Sequence, residues 1–527
     1  MAEENSKELG YPDLPCGNEV YKALLDHGLM PEVLPPCFTS QGLSELEDIW
    51  STKNPKPYGY IRYFASRHTS VPREQAIPHP IAYARLCKLI GENWNILNSK
   101  LFIEDKKNRV HVRKLKNKQH IFEMNYRGTR QFEEEDLELK FRLGANYYVK
   151  ADIATFFPSI YTHAIDWAIE GKEKAKKNKD SDTLGSRVDC YLRYMNEGQT
   201  LGIPIGPHAS NIISELLLVD IDKTLQNKKC RNYLRHIDDY AYYAKTEDEA
   251  RKFIRELGLC LGHYELRLNA KKTDVKQILK TEIHWTNKLR LFKFSDAANR
   301  IGFTTAKAHL DLALSLAQKS NDEVDLAPLK YALKRISSYK KWTPHAAHNI
   351  LVTLSDLTVR YPYFCPLYET VCKSLLECMN DKYKSKTNDL IRYFVNILVS
   401  TGYERIQTDM MAYGLYFSVR YKVVNDFIER ADDQVIEAML KWEDCVSLAL
   451  LYEYAAWRDD SSANSEKIIE SLVDKVNNFK DDKEMRDRYW LLMYQVLSCK
   501  EIKDHHLKEL KRVGFQFVNW ERESDAL

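Results

Sequence analysis

Three aspartates stand where carboxylates can act together. Asp152 closes the run NYYVKAD, in which Tyr147, Tyr148 and Val149 have strand-forming character and deliver the carboxylate to a strand end. Asp238 and Asp239 are adjacent, between the β-type runs Tyr233–Ile237 and Tyr240–Ala244, which predicts a hairpin with both acids at its tip. A lone aspartate after a strand reads equally as a turn or helix cap. An adjacent pair is different, because Asp-Asp is a poorer tight-turn dipeptide than Asp-Gly and its like charges repel unless a cation intervenes. Carboxylates are hard-cation ligands, and two divalent ions about 3.5–4 Å apart, bridged by such acids, stabilise the attacking and leaving oxygens of an in-line phosphoryl displacement.

The elements that must position these acids are legible around them. Between the two acidic sites lies EGQTLGIPIGPHAS, a Gly/Pro-rich loop that lets backbone approach a ligand closely. It runs into a helix expected to start near Ser210 and to bury Ile212, Ile213, Leu216 and Leu217. Downstream, ELRLNAKKTDVKQ sets Lys271 and Lys272 just past an apolar run, where an ammonium can neutralise or protonate a leaving pyrophosphate, although a Lys-Lys pair is also an ordinary solvated surface.

Taken in order, Asp152 with FFPSI, GIPIGPHAS, HIDD and LNAKKT resemble four successive motifs of the reverse-transcriptase family, over about Pro55 to Gly302. The resemblance implies an α+β palm and fingers and an RNA-directed DNA polymerase type of nucleotidyl transfer to deoxynucleotides. It implies Asp152 and Asp238 as metal ligands, Asp239 in support of the second ion, the Ile153 carbonyl completing the coordination, and Mg2+ as cofactor with Mn2+ as an alternative. Lys272 takes the general-acid role. Phe157 falls where the family places an aromatic steric gate against a ribose 2′-hydroxyl, or is a core aromatic. Gly206 belongs to the template and nucleotide loop, and Arg113 or Lys114 is the candidate triphosphate clamp. Two departures from the family stand out: His236 and Ile237 precede the twin aspartates without the usual aromatic, and Ile205 replaces a common Gln.

The layout as a whole, a leader containing LPPCF, the PHP segment at Pro78–Pro80, a catalytic half and a helical half, resembles the bacterial abortive-infection and related defence reverse transcriptases. Those proteins pair the polymerase with a HEAT-like helical domain. That resemblance implies antiphage defence, untemplated DNA synthesis primed from a protein hydroxyl, single-stranded DNA left attached to the protein, and homo-oligomers. Priming needs a mobile hydroxyl, for which Tyr11 and Tyr21 in the leader and Tyr416 and Tyr421 in the helical half are candidates, each with a structural alternative. Two other functions compete: RNA-templated reverse transcription on a bound non-coding RNA, and a catalytically inactive fold that binds nucleic acid as a scaffold.

Composition is permissive. Lysine plus arginine number 78 against 75 acids, a net charge of +3, so a nucleic-acid partner must be met by local charge. One such stretch is KLFIEDKKNRVHVRKLKNK, expected as strands with Lys107, Arg109, Arg113, Lys114 and Lys116 on the outward face, or as a solvated hairpin. The eleven cysteines never form a CxxC pair, and neither an apolar signal core nor an 18-residue apolar run is present. A reducing cytoplasm without a membrane is therefore the expectation, and the family resemblance implies a bacterial one.

Three regions follow: an N-terminal extension over 1–54, with short helices at Val20–His27 and Leu43–Ile49; fingers and palm over 55–302; and an all-α HEAT-like repeat domain over 303–527. In the last, Ile391, Phe394, Val395 and Leu398 repeat at helical spacing, as do Ile469, Leu472, Val473 and Val476. Breaks are expected near Pro344, Pro362, Gly402 and the DDSSANS run after Trp457.

Overall fold

Strand alternation in Tyr147–Asp152 puts Val149 and Ala151 into the core and Lys150 outside, so this segment becomes the middle of a sheet rather than its margin. In the computed structural model the described residues are 15–50, 55–67, 71–101, 111–112, 122–123, 137–177, 182–278, 285–294, 300–318, 324–458 and 463–521. The chain forms two compact units. One holds residues 1–31, 40–60 and 76–282; the other holds 32–39, 61–75 and 283–527.

In the first unit, α1 (Gly17–His27), α2 (Pro80–Glu92) and α3 (Trp94–Leu101) precede a four-stranded sheet. Its strands are β1 (Tyr147–Asp152), β2 (Tyr233–His236), β3 (Asp239–Ala244) and β4 (Asp274–Gln277), in the antiparallel order β2-β3-β1-β4. The β1–β3 register pairs Val149 with Tyr242 and Asp152 with Asp239. Between β1 and β2 lie α4 (Thr162–Glu170), α5 (Leu184–Tyr194) and the 20-residue α6 (His208–Asn227). Helix α6 begins two residues before Ser210, behind Pro207, and buries Ile212, Ile213, Leu216 and Leu217 as expected. It also buries Ser210, Ser214, Glu215 and Asp222, so it is a core helix rather than an amphipathic surface one.

After β3, α7 (Glu247–His263) is capped by Thr246 Oγ1 accepting from the Glu249 amide, with three acids in its first turn. Its Phe253 stacks on Tyr242 at 4.1 Å, fastening it to the sheet. Of the basic stretch, the backbone pairing of His111–Val112 with Phe122–Glu123 is described; Lys107, Arg109, Arg113, Lys114 and Lys116 lie outside the described residues, as does Tyr11.

Helices dominate the second unit. In order come α8 (Phe303–Ala317), α9 (Ala327–Ser338), α10 (Pro344–Arg360), α11 (Cys365–Leu376), α12 (Asp381–Glu404), α13 (Thr408–Arg420), α14 (Asp433–Lys441), α15 (Cys445–Arg458) and α16 (Ala463–Phe479), with shorter helices out to Arg512. Neighbours in sequence pack together: α8 on α9 and α10, α10 on α11 and α12, α12 on α13, α13 on α15, α15 on α16. Ile391, Phe394, Val395 and Leu398 are all buried. In α16 the buried stripe is Ile468, Leu472 and Val476, while Ile469 and Val473 are half-exposed, so the spacing settles on i, i+4, i+8.

Pro344 opens α10 behind the Thr343 cap, and Pro362 sits in a short 3-10 turn. The break expected near Gly402 is present, since α12 ends at Glu404 and α13 starts at Thr408; Gly402 itself lies in the last turn of α12, where a Cβ would come within 2.8 Å of the Met411 amide nitrogen. Its hydrogen lets α12 and α13 approach. Among the described residues no helix is long and apolar enough to cross a membrane.

Candidate active site

The sheet register carries Asp152 and Asp239 to the same place. They are direct partners across β1 and β3, and the Ile153 amide donates to the Asp238 carbonyl at 3.2 Å one step further on. That makes Asp152–Asp239 a non-hydrogen-bonded pair, in which Cβ atoms stand about 4.5–5.5 Å apart with both side chains on one face. Asp238 follows from the turn. His236 pairs with Asp239, leaving Ile237 and Asp238 as a two-residue loop. The sequence expectation of both acids at the tip is thus half met: Asp238 is in the turn and Asp239 begins the strand.

The three carboxylates feel one another. Burial pushes the Asp238 carboxyl up to about 6, helped by the charges of Asp239 and Asp152 and opposed by its own backbone amide and by Lys272. Asp239 is raised too, by burial and by Asp152, with Lys150, Lys272 and His236 pulling it down.

Asp152 is 4 % exposed and held at both carboxylate oxygens. Asn269 Nδ2 donates to Oδ2 at 2.9 Å and Lys272 Nζ to Oδ1 at 3.1 Å. The backbone makes this possible. The Asn269 amide donates to the Asp152 carbonyl at 2.8 Å, and the Asn269 carbonyl accepts from the amides of Lys272 and Thr273, folding 269–273 into a turn. Of the two lysines it is Lys272, not Lys271, whose ammonium meets an aspartate.

The Gly/Pro-rich loop is tied to the segment that follows Asp152. The Ile203 amide donates to the Phe157 carbonyl at 3.1 Å, and the Gly202 amide to the Ile160 carbonyl at 2.8 Å. Gly202 has φ +85°, and a Cβ there would stand 3.2 Å from the Pro158 carbonyl oxygen. Gly206 also has positive φ, 117°. Phe157 is half-buried beside the fully buried Phe156, so the core aromatic of the pair is Phe156.

Tyr21 is buried in α1 and donates to the Ser44 carbonyl at 3.2 Å. In the second unit, Tyr416 is buried and donates to Glu369 Oε2 at 2.7 Å. Tyr421 lines a cavity of about 380 Å³ with Glu369, Cys372, Lys373 and Arg420, its hydroxyl buried beside the Cys372 thiol.

The donors suit a hard cation: three carboxylates and a backbone carbonyl offer oxygen only, and a divalent ion relieves the repulsion that raises Asp238 and Asp239. As the side chains stand, no three described His, Cys, Asp or Glu groups converge to hold one. Lys272 and Asn269 occupy Asp152 instead, and Lys272, its side chain 59 % exposed, has room to leave.

Sequence reasoning missed Asn269 and a buried cluster behind the hairpin. Arg235, fully buried in β2, meets Glu215 and Asp222 of α6. The signal was present: an arginine within a β-type run, and Glu215 and Asp222 two turns apart on one face of the helix.

Residues 102–294 match the family described as reverse transcriptase (RNA-dependent DNA polymerase). No curated protein matches the chain. Among solved structures it is similar to the apo telomerase of Candida tropicalis truncated from its C-terminal domain, at 14 % identity and a TM-score of 0.27, covering 47 % of this chain and 53 % of that one. The C. tropicalis telomerase with a TWJ fragment of telomeric RNA gives 12 % identity and 0.30, covering 72 % and 68 %. The Candida albicans telomerase with such a fragment gives 12 % and 0.29, covering 87 % and 70 %. The chain spans about half the length of the first of these, 53 %. The likeness to the reverse-transcriptase family rests on residues 102–294.

Proposed function

We propose that this chain adds deoxynucleotides to a growing strand, with Asp152, Asp238, Asp239 and the Ile153 carbonyl holding Mg2+ or Mn2+. One observation carries the reading: the sheet register sets Asp152 opposite Asp239 and the β2–β3 turn adds Asp238 beside them, near enough for their charges to act on one another, with a movable ammonium on Asp152. When bound, divalent ions supply charge stabilisation to the attacking and leaving oxygens. The chain's own residues do the rest. Lys272, once displaced from Asp152, carries a proton toward the leaving pyrophosphate. Asn269 keeps Asp152 oriented after Lys272 departs. Phe157, its carbonyl fixed by the loop that holds Gly206, stands against the sugar of the incoming nucleotide. Arg113 or Lys114 clamps its triphosphate.

In the finer reading, polymerase residues 55–302 serve a helical, HEAT-like 303–527 and an extension 1–54 in a homo-oligomeric antiphage protein of the bacterial cytoplasm, which makes untemplated DNA attached to one of its own tyrosines. The resemblance of the layout to abortive-infection reverse transcriptases supports it. Tyr21 and Tyr416 must leave buried hydrogen bonds to serve as primers, so each needs local opening of its helix. A second reading, templated synthesis on a bound RNA, is favoured by the family description of residues 102–294 as RNA-dependent.

The test is incubation with Mg2+ and each labelled deoxynucleotide, without template or primer, resolved on denaturing gels before and after protease. Label that stays on the protein supports protein-primed synthesis. Label that requires added template and primer supports the second reading, and no label under either regime overturns the proposed activity.

A further inference from the structure

We propose that Arg235 is a positioning residue that aims Asp238, by clamping the peptide in front of it to the two buried acids of α6. The inference rests on the reading of Asp238 as a metal ligand. Arg235 is fully buried, as is Asp222, and Glu215 is 4 % exposed. The guanidinium is fixed by Glu215, which accepts from Nη2 at 2.6 Å and Nη1 at 3.0 Å, and by Asp222, which accepts from Nε at 2.8 Å. A planar fork held at both edges has little freedom left. Its Nη1 also donates to the Ile237 carbonyl at 3.2 Å.

That last bond is where the structure does something unusual. Ile237 has φ +52°, a left-handed conformation that a β-branched residue avoids. A two-residue hairpin loop calls for positive φ at its first position, so closing the hairpin imposes this conformation on Ile237. Two hydrogen bonds fix the peptides that follow. The carbonyl before Asp238 is held by Arg235, and the carbonyl of Asp238 itself by the Ile153 amide at 3.2 Å. With the peptide planes on both sides fixed, the Cα–Cβ direction of Asp238 is set before any cation arrives. Glu215 and Asp222 thereby act on the acid through Arg235.

Arg235→Met alone leaves Glu215 and Asp222 buried and unpaired, a cost to folding that has nothing to do with aiming Asp238. The triple variant Glu215→Met, Asp222→Leu, Arg235→Met replaces the cluster with apolar side chains of similar volume and removes the bond to Ile237. It is read by hydrogen–deuterium exchange of the metal-free protein, by Mn2+ titration and by incorporation kinetics. The expected result is a folded protein whose amides at 237–240 exchange at least about 10-fold faster while α6 stays protected, whose half-saturating Mn2+ rises, and whose kcat falls about 10- to 100-fold at nearly unchanged nucleotide KM, as misplacement of a reacting group by about 1 Å does. Adding Ile237→Gly, for which positive φ is free, should restore part of both the exchange protection and the Mn2+ affinity. Should the triple variant not fold, Arg235→Lys, which keeps the charge and loses the fork, goes through the same assays.

A folded variant with wild-type exchange at the turn and wild-type Mn2+ titration overturns the proposal. Wild-type protein that incorporates no nucleotide counts against the polymerase reading instead, and the exchange and Mn2+ measurements then still decide the role of Arg235.

Discussion

Asp238 bears the conflict between fold and function most directly. Its raised carboxyl means that the metal-free fold prefers it protonated. The folded value, about 6, lies above the ordinary 3.8, so the stabilising contribution is complete below about pH 4 and is lost as the pH rises through about 6. Metal-free melts should therefore lose stability over that window. Asp238→Asn should flatten the loss and raise the midpoint at pH 7, while reducing incorporation about 10²- to 10³-fold. A variant that is less stable than wild type at pH 7 would oppose the burial argument. Lys272→Ala tests the neighbouring role: it should reduce kcat about 10²-fold or more as a general acid is lost. The three aspartates were readable because adjacent acids in a hairpin have no economical structural purpose. Asn269 was not, since an amide that orients a carboxylate looks like any loop asparagine until the 269–273 turn is seen.

At the scale of elements, the loop between the acidic sites is locked to the segment after Asp152 by backbone bonds from Gly202 and Ile203. Gly202→Ala must place a Cβ 3.2 Å from the Pro158 oxygen at a φ of +85°, and should destabilise by about 1–2 kcal/mol and shift the Phe157 segment. Urea unfolding measures the first, and discrimination between deoxy- and ribonucleotides the second. The hairpin and strand assignments were legible from β-branched and aromatic runs flanking a turn. Its register was not, because neither propensity nor spacing says which residue opposes Asp152. Gly402 marked the end of α12 in the sequence, but not the close approach of α13 at Met411 that its missing side chain permits.

For the molecule as a whole, the helical periodicity read from residue 303 onward matches the helices described there, while the second compact unit already begins at residue 283. The second unit also takes residues 32–39 and 61–75 from the N-terminal part of the chain, which no compositional boundary marks. Short segments join a core through long-range contacts, such as the Ser66 amide donating to the buried Asp409 carboxylate at 2.6 Å, and those are invisible to a window.

A bound cation should be felt in global stability. At about 100 times its dissociation constant, Mg2+ or Mn2+ should stabilise the native chain by roughly 2.7 kcal/mol, a gain followed by thermal melts and absent from Asp152→Asn. An equal gain in that variant would place the cation elsewhere.

The account stands or falls on whether Asp238 serves the chemistry. The most direct measurement is incorporation of labelled deoxynucleotide by wild type and Asp238→Asn side by side, with Mg2+, with and without template and primer. The account predicts product from wild type and about 10²-fold less, or none, from the variant. Equal incorporation by the two proteins would contradict it.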